Sequence, residues 1–384
     1  MKKTVSLTII ISILLFSFQS LAESNTSLYW NRAKTLLDLN NNTLKNLTAS
    51  EKTAKDNYNN AADKAMGINT VSTTVKVMGM DMTIHYEPYV SMLLTQQKEL
   101  LPEQMKLTWE MTRDSGNVTR NALIIGLRGL YLGLYSADNE YKLKLKKLEL
   151  AQTINKQDEI KLQNGMISDI DKAESDYNLL KAQKDADAAQ RSYDNMLRSF
   201  NSFLGISLDT KYDEIVYEEQ YNPSVLKPLN YYVDKGVASR LDVIGANKQL
   251  ALLEKKKEIM DRFPLSLNTV SARKDYDNLP RDIESQQLKL DKAKLDVEKE
   301  IKDAYVEVSI AGKNVENMKK TLDLQKKTLE STKKKFQAGF LPKTMLDQLQ
   351  IGVEELENGY KAMIFDYNTK LMKLENAAGL GPAY

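Results

Sequence analysis

Residues 301–342 read IKDAYVEVSIAGKNVENMKKTLDLQKKTLESTKKKFQAGFLP. An apolar residue recurs every seventh position of this stretch, at Ile301, Val308, Val315, Leu322, Leu329 and Phe336. A strict seven-residue period keeps one seam of a helix facing a partner helix, so the stretch predicts a long coiled-coil helix. Gly339 can take the left-handed conformation that ends a helix, and Pro342 is suited to the first position of the next one.

A second heptad run follows the turn, at Leu346, Val353, Tyr360, Tyr367 and Leu374. The two runs together predict an antiparallel helical hairpin over about 295–379. Each arm spans about 37 residues, or about 55 Å at the helical rise of 1.5 Å per residue. That length exceeds a compact core, so these helices are expected to pack along neighbours in other subunits.

The chain contains this pattern twice. A shift of 174 residues aligns 131–205 with 305–379, and it superposes Gly165 on Gly339 and Gly205 on Gly379. Two aligned glycine pairs at the same spacing indicate an internal repeat. We therefore predict a first hairpin over about 120–205 with Ser168 as an N-cap, and two repeats over 23–210 and 211–384.

Each hairpin is preceded by another helical pattern, over Leu28–Met66 and Leu229–Met260. Alternating apolar residues between the first of these and its hairpin predict a β-hairpin over 70–87. The second insert, 262–280, has two prolines and no alternation, so we predict a loop. The polar stretch 114–117 is expected to interrupt the helix before the first hairpin.

The first 22 residues have the pattern of a secretory signal. Lys2 and Lys3 precede an apolar run over 5–18, and small residues predict cleavage after Ala22. An uncleaved anchor is the alternative, because the run approaches the roughly 17 residues that span a bilayer. No later stretch is apolar for long enough to span, so an exported protein is expected.

Composition excludes several functional classes. Lys and Arg number 54 against 52 Asp and Glu, for a net charge of +2, so a phosphate-binding nucleic-acid protein is not expected. The chain has no Cys and one His, His85, which removes thiolate metal sites and cysteine nucleophiles. It also lacks a glycine-rich phosphate loop. We expect no enzyme and no cofactor.

Residues Gln163–Glu174 and Lys335–Pro342, with the closing Leu204-Gly205 and Ala378-Gly379, resemble the TolC family of outer-membrane efflux proteins. The resemblance covers most of the mature chain. It implies a mainly α fold in which a homotrimer of two-hairpin subunits forms an α-barrel duct in the outer membrane. It also implies passive efflux or secretion, with a periplasmic adaptor and an inner-membrane pump as partners.

The resemblance makes the two hairpin turns the adaptor-docking tips, comprising Gly165, Met166, Ile167, Ser168, Gly339, Phe340, Leu341 and Pro342. Apolar residues at turns far from a core favour a partner surface, and capping of the seam by its own turn is the alternative. Family members narrow the tip with aspartates, which here points to Asp171 and Asp347 as lumen or gate residues. Solvated helix faces are the other interpretation of these two side chains.

One departure from the family concerns membrane strands. Family members form a β-barrel from four strands per subunit, whereas the first insert offers two short strands and the second offers none. We therefore expect a reduced or absent barrel, with an extracytoplasmic envelope location as the alternative to the outer membrane. A coiled-coil envelope spacer is the rival function. The adaptor class fits less well, because its hairpin is single and flanked by β domains that this chain lacks.

Overall fold

The computed structural model describes residues 27–381, so the predicted signal segment lies outside the described part. The α-helices of this part are α1 Trp30–Asn40, α2 Asn42–Met66, α3 Pro88–Thr95, α4 Leu101–Gln163, α5 Asp169–Leu204, α6 Leu229–Ser239, α7 Leu241–Asp261, α8 Val270–Gln337 and α9 Lys343–Ala377. Its strands are β1 Ser27–Leu28, β2 Ser72–Val77, β3 Met80–His85 and β4 Glu214–Ile215. A π-helical turn, Gln96–Leu100, joins α3 to α4, and short 3-10 turns cover Pro223–Val225 and Pro264–Asn268.

Two helical hairpins form the body of the molecule. Helix α4 pairs with α5, α8 pairs with α9, and α4 also packs along α9, so four helices lie side by side in the order α5–α4–α9–α8. The predicted heptad seam is confirmed: Val308 and Val315 of α8 and Leu374 of α9 are fully buried between the arms. The prediction of a mainly α fold built from two hairpins is likewise confirmed.

The first arm of each hairpin is longer than predicted. Helices α4 and α8 have 63 and 68 residues, against 36 and 35 for α5 and α9. The expected interruption at 114–117 is wrong, because α4 runs through it. Helix α2 packs along this part of α4, and a Cβ on Gly116 would lie 4.0 Å from Leu47. Packing between the helices thus outweighs a weak local preference for a turn.

The loop predicted over 262–280 is also wrong beyond residue 268. Helix α8 begins at Val270 and continues through Pro280, whose missing N–H leaves the carbonyl of Tyr276 without its helical partner. Burial compensates for this loss. Leu279 of α8 is buried in a small core together with Met260 of α7.

Each upstream helical segment is divided by one extended residue, which the sequence did not reveal. Asn41 separates α1 from α2, and its side chain accepts hydrogen bonds from the backbone of Thr43 (2.9 Å) and Leu44 (3.3 Å). Arg240 separates α6 from α7 in the same extended conformation. Its guanidinium donates to the carbonyl of Ala377 (3.1 Å), which fixes the break against the end of α9.

The glycine that closes each hairpin makes the same kind of contact in both halves. Gly205 and Gly379 both have left-handed backbones, with φ of 76° and 69°. A Cβ on Gly205 would lie 3.0 Å from the carbonyl oxygen of Asn40, and one on Gly379 would lie 3.2 Å from the carbonyl carbon of Ser239. Only glycine combines that conformation with so close an approach to another backbone.

The predicted β-hairpin is confirmed as β2 and β3, which pair antiparallel with Val77 opposite Met80. Its two-residue turn has positive φ at both Met78 (49°) and Gly79 (82°), as tight hairpin turns require. Strands β1 and β4 form a separate parallel pair of two residues each. Between residues 27 and 381, no helix has the length and apolar character needed to cross a membrane.

Candidate functional site at the hairpin tips

The first tip is a glycine-centred turn that ends α4. Gly165 has φ of 67°, and its N–H donates to the carbonyl of Leu162 at 2.9 Å. The N–H of Met166 donates to the carbonyl of Lys161 at 2.8 Å. This pair of bonds is the Schellman motif, which satisfies the last carbonyls of the helix and reverses the chain within two residues.

The second tip repeats this geometry at the end of α8. Gly339 has φ of 77° and donates to the carbonyl of Phe336 at 2.9 Å, while Phe340 donates to the carbonyl of Lys335 at 2.9 Å. A Cβ on either tip glycine would meet no atom within 4 Å. Backbone conformation alone, and not steric room, therefore selects glycine at both tips.

The two returning helices start differently. Ser168 caps α5: its Oγ accepts from the N–H of Asp171 (3.2 Å), and the Asp171 carboxylate accepts from the N–H of Ser168 (2.9 Å). The hydroxyl and the backbone of Ser168 lower the pKa of Asp171. Pro342 is the extended residue before α9, which begins at Lys343, so the prediction that Pro342 is the first helical residue is wrong by one position.

Apolar side chains project from both tips. Met166 is 73% exposed and Phe340 is 79% exposed, while the next residue along the chain, Ile167 or Leu341, is half-buried. Each turn thus covers its own seam with one apolar side chain and presents another to solvent. An apolar partner could bind both projecting side chains at once.

The two candidate gate aspartates have unlike surroundings. Asp171 is engaged in the cap of α5, whereas Asp347 lines a groove of about 400 Å³ between α4 and α9. Lys146 and Glu354 form an ion pair across the same groove at 2.6 Å. Sequence reasoning missed this groove, because nothing in the local pattern shows that α4 and α9 are neighbours.

A second group of functional interest joins the two hairpins well away from the tips. The Arg128 side chain of α4 is almost fully buried and forms an ion pair with Glu219 of the segment connecting the hairpins. Its Nε donates to Thr369 of α9 at 2.8 Å, and its guanidinium lies 4.3 Å from the ring centre of Phe365. Burial lowers the pKa of Arg128, while Glu219 opposes that shift.

Neighbouring tyrosines hold the same connecting segment in place. The hydroxyl of Tyr131 lies 2.8 Å from the carbonyl of Leu28 and 2.6 Å from that of Val216, and Tyr217 donates to the carbonyl of Lys361 at 2.8 Å. Sequence reasoning missed this junction as well. The available signal was Arg128 itself, a lone charge inside the apolar run 124–134.

The one histidine, His85, is exposed on β3. Across residues 27–381 there is no group of three or more His, Asp or Glu side chains placed to hold a metal ion. The arrangement of helices therefore directs attention to surfaces and to the space between helices.

The chain matches no protein-family model, and no curated protein matches it in sequence. Solved structures match over nearly the whole chain. The outer-membrane channel OprN has a TM-score of 0.63 at 12% identity, over 92% of this chain and 90% of that one. The Campylobacter jejuni CmeC outer membrane channel has a TM-score of 0.60 at 12% identity, over 92% and 86%. The Neisseria gonorrhoeae MtrE outer membrane channel has a TM-score of 0.60 at 11% identity, over 92% and 89%.

Proposed function

Because the chain has the fold of the TolC-type outer-membrane channels, we propose that it is an efflux or secretion duct, the outer component of a tripartite export system. It is exported and acts in the outer membrane as a homotrimer, with no catalytic step and no cofactor of its own. A periplasmic adaptor docks at the Gly165–Ser168 and Gly339–Pro342 turns, and an inner-membrane pump selects and drives the substrate. The matching glycine contacts at the ends of the two hairpins support two repeats, 23–210 and 211–384.

One observation carries this proposal: α8 has apolar residues on two opposite faces. The inner face includes the buried Val297, Val308 and Val315. The outer face carries the exposed residues Leu288, Leu295, Val306, Ile310 and Leu324. At about 100° per residue these five lie within a sector of about 60°, directly opposite the buried seam. A helix with two such faces is suited to pack between two neighbours.

Helix α5, at the other edge of the four-helix row, also has free apolar residues. Ile170, Tyr177 and Leu180 are exposed on the side away from α4. When α8 of one copy packs against α5 of the next, the contact is head-to-tail, and such contacts close into a ring. Three copies would supply twelve helices, enough to enclose a long water-filled passage. Opening would then require only rearrangement of the tips on adaptor docking.

Light scattering on the detergent-extracted native protein tests the proposal. We expect three times the chain mass, which is 43.7 kDa for the full sequence. Leu295→Gln with Leu324→Gln should give monomers of unchanged helicity, because both side chains are about two-thirds exposed in one chain. The matched control, Lys289→Gln with Asp323→Gln on the flank of the same helix, should stay trimeric. A monomeric native protein, or a trimer indifferent to the two leucines, would reject the ring and favour an envelope spacer.

A further inference from the structure

The β2–β3 hairpin is a ribbon with two unlike faces. Side chains alternate between the faces of a strand, and directly paired residues share a face. The register therefore collects Thr73, Val75, Val77, Met80, Met82 and Ile84 on one side. The other side carries Ser72, Thr74, Lys76, Asp81, Thr83 and His85. One face is almost wholly apolar and the other is wholly polar.

The apolar face is open to solvent. Val77, Met80, Met82 and Ile84 are all exposed, and Met78 in the turn is 96% exposed. Within residues 27–381, the extensive contacts of β2 are with β3 alone, and the reverse also holds. An isolated two-stranded ribbon is marginally stable in water, so this face is suited to be covered.

The ribbon lies at the end of the molecule remote from the tips. Helix α3, the π-helical turn and α4 run continuously from residue 88 beside the ribbon to residue 163 at the first tip, a span of about 110 Å. The loop before the ribbon is held there by Lys98, whose Nζ donates to the carbonyl of Ile68 at 3.1 Å.

A second segment at the same end adds to the apolar surface. Leu265 and Val270 lie in the turn that leads into α8, and both are well exposed. The turn is adjacent to α3, because the Tyr89 hydroxyl lies 3.2 Å from that of Ser271. This end of the molecule therefore presents apolar side chains from two separate segments.

We propose that the apolar face of the ribbon binds a lipid surface, lying flat at the boundary between headgroups and hydrocarbon. The face measures about 20 Å by about 10 Å, or about 200 Å². A stable protein–protein interface needs about 800 Å² on each side, so a second copy cannot be held by this face alone. Membrane binding has no such threshold, because it grows with each apolar side chain that leaves water.

The dimensions also fix the orientation. A six-residue strand reaches about 20 Å, less than the roughly 30 Å of a hydrocarbon core. The outer edges of the ribbon have unpaired N–H and C=O groups, which must stay in contact with water or headgroups. A flat position meets both conditions, with Met78 and Met80 directed into lipid and Lys76 and His85 directed into water. The inference does not depend on the duct proposal.

A site-specific fluorescent label tests where lipid contacts the protein. The chain has no Cys, so Met78→Cys gives a single attachment point for an environment-sensitive dye in the full-length protein. With vesicles of phosphatidylcholine we expect a blue shift at residue 78. The matched control is Met166→Cys, an equally exposed methionine at the first tip, which should show no shift. Equal shifts at both positions, or none at residue 78, would overturn the proposal.

Vesicle flotation gives the energetic test. Met80→Gln with Met82→Gln should weaken binding to phosphatidylcholine vesicles about tenfold or more, because two apolar side chains are replaced by polar ones of similar size. Thr74→Gln with Thr83→Gln, a directly paired control on the polar face, should leave binding unchanged. If the methionine variant binds lipid normally but alters the mass in lipid-free solution, the face binds a second copy. Binding that appears only with anionic phosphatidylglycerol would point to surface charge instead, and it too would overturn the proposal. The ring is tested by that lipid-free mass with the leucine variants, so either idea can fail alone.

Discussion

Replacing Arg128 by methionine should destabilise the junction between the two hairpins more than any exposed ion pair does. The Arg128 side chain is 5% exposed and contacts Glu219, Thr369 and the ring of Phe365. Methionine keeps most of the buried volume but removes the charge and both polar contacts. The variant therefore isolates the electrostatic part of the junction.

The magnitude follows from what remains of the site. Removing one partner of a buried ion pair costs about 3–5 kcal/mol, because the other charge stays buried, and the guanidinium–ring contact adds about 0.5–2 kcal/mol. Glu219 retains a hydrogen bond from Asn368 (2.9 Å) and a partly exposed carboxylate, so the lower end applies. We expect a loss of about 3 kcal/mol in the free energy of unfolding, roughly a hundredfold in the equilibrium constant.

Urea unfolding followed by tryptophan fluorescence measures this loss. The chain has two tryptophans, and Trp30 lies 5.7 Å from the Arg128 guanidinium. A Trp109→Phe background therefore confines the signal to the junction. The control is Lys146→Met, since Lys146 also bridges α4 to α9 but lies on the surface. Its loss should be at most about 1 kcal/mol.

A double-mutant cycle separates the ion pair from general packing. Glu219→Gln combined with Arg128→Met removes the orphaned charge and should recover at least about 1.5 kcal/mol relative to the sum of the single variants. The reasoning is refuted if Arg128→Met costs under about 1 kcal/mol, or if the coupling energy is below about 0.5 kcal/mol. Either outcome would mean that packing alone joins the hairpins.

Three further predictions concern single positions. Gly165→Val and Gly339→Val should abolish dye export from cells and leave circular dichroism unchanged, because left-handed backbone disfavours β-branched residues; asparagine at either position should retain export. The lowered pKa of Asp171 means that its cap stabilises α5 above the unfolded pKa of about 3.9 and is lost as pH falls through the folded value. Amide exchange in the first turn of α5 should therefore accelerate in acid, and Asp171→Asn should remove that pH dependence. Gly236→Ala places a Cβ 2.3 Å from a side-chain carbon of α8 and should cost about 1–3 kcal/mol in thermal unfolding. Gly352→Ala has no atom within 4 Å of the new Cβ and should gain about 0.5–1 kcal/mol; equal effects at the two glycines would contradict the packing argument.

The adaptor-docking role of the tips remains a prediction, but their geometry was accessible from the sequence. The seven-residue period between 301 and 374 specified a seam, and Gly165 and Gly339 specified where each helix reverses. The alternation over 70–87 specified a ribbon. These features depend on contacts between residues close in the chain or repeated at a fixed interval, and backbone chirality restricts the reversals to glycine.

Other features depend on contacts between distant segments, and only the tertiary structure decided them. Helix α4 continues through 114–117 because α2 packs beside it, and α8 continues through Pro280 because the core with α7 buries Leu279. The sequence determined which faces of these helices are apolar. Which face is buried within the chain, and which remains free on α8 for a second neighbour, was decided by the order in which the four helices pack, since burial is a property of the whole arrangement.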